Sequence, residues 1–140
     1  KFLIKAHPSM TDKHLKNIIN YKSSKNLLFV TGNAEKYLLR SDILISGMSS
    51  ICIEAIALGV PVIEIENTSG LSYNSIPKEV PKQLNRSCRT SNEVVEAINY
   101  FRNRTLDQIR RDNLLCLDMK MNFFEPITKE NVYNFLDLNN

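Results

Sequence analysis

Three observations predict an α/β fold with a mostly parallel sheet for this sequence. Short apolar runs alternate with segments of helical period, which is the pattern of strand–helix–strand units. The stretch from Asp42 to Glu66 condenses that pattern into a strand, a turn, an apolar helix, a second turn and a second strand. Its apolar runs are continuous rather than alternating, as in parallel strands that helices cover on both faces. We therefore expect one domain over residues 1–140, a three-layer sandwich whose sheet has about five strands.

Composition and charge exclude several classes of protein. With 43% hydrophobic and 24% charged residues the chain is typical of a globular protein, and no apolar run approaches the roughly 20 residues of a membrane helix. The net charge of +3 permits weak attraction to phosphates or to an anionic membrane surface. The basic residues form no cluster with interleaved aromatics, so we expect no nucleic-acid partner. Three widely spaced cysteines, Cys52, Cys88 and Cys116, indicate reduced thiols in a cytoplasmic protein.

The N-terminal elements follow the same alternation. They are a strand at residues 2–6, a helix capped by Thr11, a strand at residues 27–30 and a short helix at residues 34–40. His7-Pro8 ends the first strand, because proline cannot donate to a ladder and forces the residue before it into extended geometry. Thr31-Gly32 ends the second strand. The chain starts at Lys1 almost directly in a strand, so we expect it to be a piece of a larger protein.

The central unit contains a complete set of turn signals. Its first strand is the apolar run Ile43–Ile45, for which we expect burial on both faces. Ser49 or Ser50 is expected to cap the helix that follows, and Gly59 suits the left-handed position at its end. Pro61 then opens the next strand, where no ladder N–H is needed.

Glu54 is the one charged residue between Asp42 and Glu64. The helix around it is apolar nearly all round, so we expect that helix to be buried. A buried carboxylate is costly unless something binds it. Glu54 is therefore either a ligand-binding residue or the acceptor of a structural hydrogen bond, and we favour the first.

The C-terminal part continues with a long connection and three helices. Residues 67–82 lack periodicity and are interpreted as a site loop. An edge strand is expected at residues 84–89. The expected helices are one opened by a Thr90–Glu93 capping box, one at residues 106–117, and one after Pro126 and Thr128. The helix that begins at the capping box should direct an apolar face to the core, formed by Val94, Val95, Ala97, Ile98 and Phe101. The last helix has Val132, Phe135 and Leu136 on one face. Charged runs such as Arg110-Arg111-Asp112 are interpreted as surface.

Polar and glycine residues converge on one edge of the predicted sheet. His7, Gly32, the Ser46–Ser50 segment and the Glu66–Gly70 segment, which includes Thr68, each follow the end of a strand. In parallel sheets ligands bind at the carboxyl ends of the strands. We therefore expect a ligand site at this edge.

The residue types at that edge suit a nucleotide. Gly47, Ser49 and Ser50 offer free N–H groups, a positive helix end and hydroxyls to a phosphate, although capping alone is an equally good explanation of the serines. Glu54 lies one helical turn beyond Ser50 and could accept hydrogen bonds from a ribose diol. His7 could stabilise a leaving phosphate, but it could also simply end its strand. The sequence contains no complete catalytic constellation, metal cluster or phosphate-binding glycine motif.

Two motifs together resemble a known family. KAHP at residues 5–8 and SSICIEAIALGVPVI at residues 49–63 are similar to the nucleotide-binding half of GT-B glycosyltransferases. The closest groups are polysialyltransferase-like enzymes and CDP-glycerol glycerophosphotransferases of bacterial surface polysaccharides. The likeness covers roughly residues 3–66 and implies a Rossmann-like fold.

The resemblance implies roles for particular residues. His7 and the helix start at Ser49 and Ser50 would contact the donor phosphates, and Glu54 would hold the ribose. Gly32, Gly47 and Thr68 are expected to bind the donor as well, because of their place at the same edge of the predicted sheet. The general base would come from an N-terminal domain outside this chain, so we expect these 140 residues alone to bind a nucleotide weakly and to transfer nothing.

The resemblance also implies the surroundings of the enzyme. We expect no cofactor and no required metal, a nucleotide-activated sugar or alditol as donor, and a carbohydrate or lipid-linked acceptor bound through the other domain. The expected location is the cytoplasm, including peripheral contact with the inner face of the membrane. The family's strand before the His-Pro strand is missing here, so the sheet has either a gap or a flavodoxin-like 2-1-3-4-5 order.

Two other functions remain open from the sequence. A UDP-sugar epimerase has a similar architecture and would be distinguished by catalytic carboxylates in its other half. A non-catalytic nucleotide-binding or receiver-like module is the second alternative. Against a receiver, the sequence has no acidic cluster near the first strand and no lysine at the end of the last strand.

Overall fold

The computed structural model describes residues 1–7, 10, 25–67, 69 and 75–137. It divides the chain into two compact units, Lys1–Arg40 and Ser41–Asn140. Every ladder among the described residues is parallel, and helices alternate with strands, which confirms the α/β class. The strands lie in one sheet of two and one sheet of three. A single sheet of about five strands therefore stays a prediction.

The N-terminal unit contains a two-stranded parallel sheet. Strand β1 (Phe2–Lys5) pairs with strand β2 (Leu27–Val30), with Phe2 opposite Leu27 and Lys5 opposite Val30. A one-turn helix, α1 (Glu35–Leu38), follows. These three elements confirm the strands and the short helix predicted from the sequence. The helix predicted from Thr11 lies outside the described residues.

The C-terminal unit contains a three-stranded parallel sheet in the order β3-β4-β5. The strands are β3 (Leu44–Ser46), β4 (Val62–Ile65) and β5 (Asn85–Cys88). The helices are α2 (Ile51–Ala57), a 3-10 turn (Lys82–Leu84), α3 (Ser91–Arg102), α4 (Leu106–Phe123) and α5 (Lys129–Phe135). The two apolar runs of the central unit form the neighbouring strands β3 and β4, and the weak strand at residues 85–88 lies at an edge.

The burial predicted for β3 on both faces is wrong. Ile43 and Leu44 are half-buried, and Ile45 is 39% exposed. Strand β4 instead has the central position, and its Val62 and Ile63 are fully buried. In the described part of the chain β3 pairs on one side alone, with β4, so its side chains have fewer neighbours than those of a central strand.

Helix α2 ends where the glycine signal predicts. Gly59 has φ of 83°, the left-handed conformation that an L-residue with a Cβ avoids. Its N–H donates to the carbonyl of Ile56 over 2.9 Å, and the Val60 N–H donates to the carbonyl of Ala55 over 2.9 Å. This pair of bonds is a Schellman motif, and it satisfies two carbonyls that the helix end leaves open. The turn then directs the chain into β4.

The hydrophobic core joins the sheet to α3. Buried Ile63 and Cys88 pack with Ala97 and Phe101, and half-buried Ile43, Val94 and Ile98 surround them. Val95, which the sequence assigned to the core side, is 56% exposed. Thr90 and Glu93 form both hydrogen bonds of the predicted capping box. Local capping and one apolar face together position α3 against the sheet.

Helix α4 is longer than the sequence predicted. It starts at a second capping box, formed by Thr105 and Gln108, and continues to Phe123. Its end precedes Pro126, because proline cannot continue a helix. The outward face of α4 exposes Leu114, Leu117 and Met121, and α5 beyond it has no buried residue. The apolar face predicted for the last helix is therefore exposed. None of the helices of the described ranges is long and apolar enough to cross a membrane.

Candidate functional site

The carboxyl ends of β3, β4 and β5 lie at one edge of the C-terminal sheet, because the three strands are parallel. The Ser46–Ser50 turn begins at the last residue of β3, Glu66 follows β4, and Arg89 follows β5. Glu66 and Arg89 are connected directly, since the Arg89 Nε donates to Glu66 Oε2 over 2.6 Å. This edge therefore brings together a helix start, a carboxylate and a guanidinium.

The serines at the start of α2 do not cap the helix, so that prediction is wrong. Ser50 is the N-cap residue, yet its backbone is already helical, with φ of −57° and ψ of −25°, and no side-chain capping bond forms. A capping serine needs an extended backbone to reach back to the second or third N–H. Capping thus does not explain the Ser50 hydroxyl, which lies on an exposed residue.

Glu54 is exposed, so the prediction of a buried charge is also wrong. Helix α2 buries Cys52, Ala55 and Ile56, which occupy one face at helical spacing, and the rest of its surface is more open. The cost of burying a carboxylate therefore gives no reason to infer a bound group at Glu54. Glu54 does share a helix face with Ser50, one turn away, and exposure leaves both accessible to a ligand.

The other predicted site residues lie in different parts of the chain. Exposed His7 follows β1, and its carbonyl accepts a hydrogen bond from the Met10 N–H over 2.9 Å. Gly32 follows β2 with a φ of 93°, the left-handed region that suits glycine. Both residues belong to the N-terminal unit, whereas Gly47, Ser49, Ser50 and Glu54 belong to the C-terminal unit. Thr68 lies outside the described residues.

Sequence reasoning missed the buried carboxylate of Glu64. Glu64 lies in β4 and is 2% exposed. Its Oε1 accepts hydrogen bonds from both the backbone N–H of Ser75, over 3.1 Å, and the Ser75 hydroxyl. Ser75 belongs to the connection that the sequence interpreted as a site loop. The signal that could have found this pair is the acidic residue inside the apolar run VPVIEI.

Cys52 lies beside this carboxylate. It is fully buried on α2, and its Sγ donates a weak hydrogen bond to the Gly47 carbonyl over 3.7 Å. Burial raises the pKa of the Cys52 thiol, hydrogen bonds with Ser75 and Ser46 oppose that rise, and the charge of Glu64 adds to it. The thiol is therefore protonated at neutral pH. Cys52, Cys88 and Cys116 are all buried and free, as the odd number and wide spacing predicted.

Arg89 is a second group that the sequence did not single out. It is exposed, and its ion pair with Glu66 raises the pKa of the guanidinium. The Arg89 N–H also donates to Glu93 Oε2 over 2.6 Å, and this bond is the main cause of the lowered pKa of Glu93. Glu93 of the Thr90–Glu93 capping box therefore also orders Arg89, the residue that follows β5.

A polar cleft of about 150 Å³ lies away from this edge, where α3 meets α4. Its lining residues are Gln83, Tyr100, Arg104, Gln108, Arg111 and Asp112. Arg104 Nη1 donates to Asp112 Oδ2 over 2.7 Å, and both side chains are nearly buried. The interpretation of Asp112 as a surface charge is therefore wrong. Because Arg104 and Asp112 already pair with each other, we interpret the cleft as part of the packing between α3 and α4 and not as a ligand site.

Comparisons with protein-family models, with curated proteins and with solved structures found no match. In the described ranges, no group of three or more His, Cys, Asp and Glu side chains is arranged to hold a metal ion.

Proposed function

We propose that this chain is the donor-binding half of a glycosyltransferase or glycerophosphotransferase that uses a nucleotide-activated sugar or alditol to build surface polysaccharide. The proposal rests on the likeness of KAHP and SSICIEAIALGVPVI to GT-B enzymes. It includes the Rossmann-like three-layer sandwich with about five strands. Parallel pairing of every described ladder supports that fold.

The observation that carries the proposal is the parallel β3–α2–β4 unit with the Ser46–Ser50 turn at its carboxyl edge. Ligands of parallel sheets bind at that edge. The Ser50 hydroxyl is not used for capping, so it is available for a phosphate. Exposed Glu54 lies one turn further along the same helix face, about 6 Å along the helix axis.

The proposed roles follow from these positions. Gly47, Ser49 and Ser50 would hold the donor phosphates, and Glu54 would accept hydrogen bonds from the ribose diol. The resemblance also implies a role for His7 in stabilising the leaving phosphate. We propose a cytoplasmic protein, with a carbohydrate or lipid-linked acceptor and peripheral contact with the inner face of the membrane.

Titration calorimetry with CMP, CDP, UMP and UDP tests this function. We expect one of these nucleotides to bind the unaltered chain. Glu54→Gln should then weaken binding about 10- to 150-fold, because it loses a charge-assisted hydrogen bond of about 1.5–3 kcal/mol. Melting temperature should not change, because Glu54 is exposed.

The matched control is Glu96→Gln, which neutralises an exposed glutamate on α3. It should leave nucleotide affinity unchanged. Equal affinities for Glu54→Gln and Glu96→Gln would remove the ribose assignment. No binding of any nucleotide at millimolar concentration would overturn the proposed function as a whole.

A further inference from the structure

Glu64 has no part in the hydrophobic core or in the proposed donor contacts, yet its carboxylate is buried. It lies near the carboxyl end of the central strand, and the ion pairs of the described ranges do not include it. Both hydrogen bonds that its Oε1 accepts come from Ser75. Removing a carboxylate from water is costly, and an apolar residue would fill this position at lower cost. The position therefore points to a role that needs a charged acceptor.

A chain of contacts leads from Glu64 to the proposed phosphate turn. Glu64 is the register partner of Ser46, the first residue of the Ser46–Ser50 turn. Fully buried Cys52 donates a weak hydrogen bond from its Sγ to the carbonyl of Gly47 over 3.7 Å, and the pKa of its thiol responds to Ser46, Ser75 and Glu64. Glu64 of β4 is thus connected to Ser75 by hydrogen bonds and to the start of the turn after β3 by its pairing with Ser46.

We propose that Glu64 is a positioning residue that, through its hydrogen bonds with Ser75 and its register pairing with Ser46, holds the Ser46–Ser50 turn in the conformation that binds the donor phosphates. This inference rests on the proposed function. Glu64 acts through other residues, because at 2% exposure it does not reach a ligand itself. Two bonds from one serine fix the position of Ser75 more strictly than either bond alone, and a charged acceptor strengthens both.

Amide hydrogen exchange of the unaltered chain, Ser75→Ala and Glu64→Gln tests the coupling. We expect both variants to speed exchange at residues 47–53 at least fivefold, while amides of β4 and β5 keep their protection. Ser75→Thr keeps the hydroxyl and should restore slow exchange. Ser87→Ala is the matched control, because exposed Ser87 is the register partner of Glu64 on the opposite strand, and it should change nothing.

Nucleotide affinity of the same variants provides the second measurement. Ser75→Ala and Glu64→Gln should weaken binding about tenfold, with recovery in Ser75→Thr. Unchanged exchange at residues 47–53 overturns the coupling, and so does a loss of protection spread evenly over the sheet, which marks a merely structural role. Faster exchange with unaltered affinity overturns the link to the phosphates. If the unaltered chain binds no nucleotide, the proposed function fails, and the exchange result still decides whether Glu64 positions the turn.

Discussion

Arg104 and Asp112 form an ion pair, with 2.7 Å between Nη1 and Oδ2, that connects the end of α3 to the second turn of α4. The Arg104 Nε also donates to the Phe101 carbonyl over 3.1 Å, and its guanidinium lies 5.3 Å from the centre of the Phe101 ring. One arginine therefore connects the last turn of a core helix to the helix that follows it. The exposed fraction of each side chain, 12% and 9%, is low enough that water screens the pair weakly.

Breaking this pair should be among the most destabilising polar changes in the chain. Asp112→Asn leaves the Arg104 charge nearly buried without its counter-ion, and we expect a loss of about 3 kcal/mol in the free energy of unfolding. Urea denaturation measures it. The double variant Arg104→Met with Asp112→Leu removes both charges and should recover most of the loss. A double variant as unstable as Asp112→Asn would show that packing, not the unpaired charge, is responsible.

Gly59→Ala should destabilise the chain by about 1 kcal/mol, since alanine must then adopt the left-handed conformation of the Schellman motif. A Cβ at this position would lie 3.6 Å from Asn113 Oδ1, an ordinary contact, so the cost is conformational rather than steric. Gly47→Ala is the control for stability. Position 47 lacks a left-handed φ and has open space around an added Cβ. The unfolding midpoint of Gly47→Ala should therefore equal that of the unaltered chain or be slightly higher.

The N-cap residues Ser50, Thr90 and Thr105 should respond differently to the loss of their hydroxyls. Thr90→Ala and Thr105→Ala each remove a capping-box bond and should each cost about 1 kcal/mol. Ser50→Ala should leave the free energy of unfolding within about 0.3 kcal/mol of the unaltered chain, because Ser50 makes no capping bond. Thermal melting of the three variants in one buffer makes the comparison. A Ser50→Ala loss equal to the threonine losses would mean that its hydroxyl caps α2 after all.

Stability should fall in alkali because of Cys116. Burial raises the pKa of this thiol from 9.0 to about 11, so in the folded chain it keeps its proton where the unfolded chain has lost it. The contribution of Cys116 to the free energy of unfolding is complete below pH 9 and disappears as the pH rises towards 11.

Urea denaturation at several pH values measures this effect. From about pH 8 to about pH 10.5 the unaltered chain should lose on the order of 2 kcal/mol more than Cys116→Ala. The comparison is between the two slopes, since the alanine variant also starts from a lower stability through lost packing. Parallel slopes would contradict a buried thiol at this position.

The sequence predicted the features that local chemistry determines. The start of α3 is predicted by a capping box that spans only four residues, Thr90 to Glu93. The end of α2 is predicted by Gly59, because the left-handed backbone that favours glycine is a local requirement. The buried pair of Asp112 could not be predicted in this way. Its partner Arg104 belongs to a different segment, and only the packing of α3 against α4 excludes water from both.

The candidate site was less predictable than the fold. Exposure of Glu54 depends on which face of α2 the sheet covers, and periodicity gives no answer in a helix that is apolar nearly all round. Glu64 and Ser75 are eleven residues apart, and the connection between them has no periodic signal. A hydrogen bond between residues so far apart is visible in the structure but is not predicted by any local pattern of the sequence.

The exclusively parallel pairing of the described strands has a consequence for folding kinetics. An antiparallel hairpin can close through a two-residue turn, whereas a parallel ladder must wait until an entire crossover segment has been arranged. Leu44 pairs with Val62, and Val62 pairs with Asn85, so each ladder of the C-terminal sheet joins distant parts of the chain. The chain entropy lost in closing these crossovers should therefore slow folding relative to that of a sheet built from hairpins.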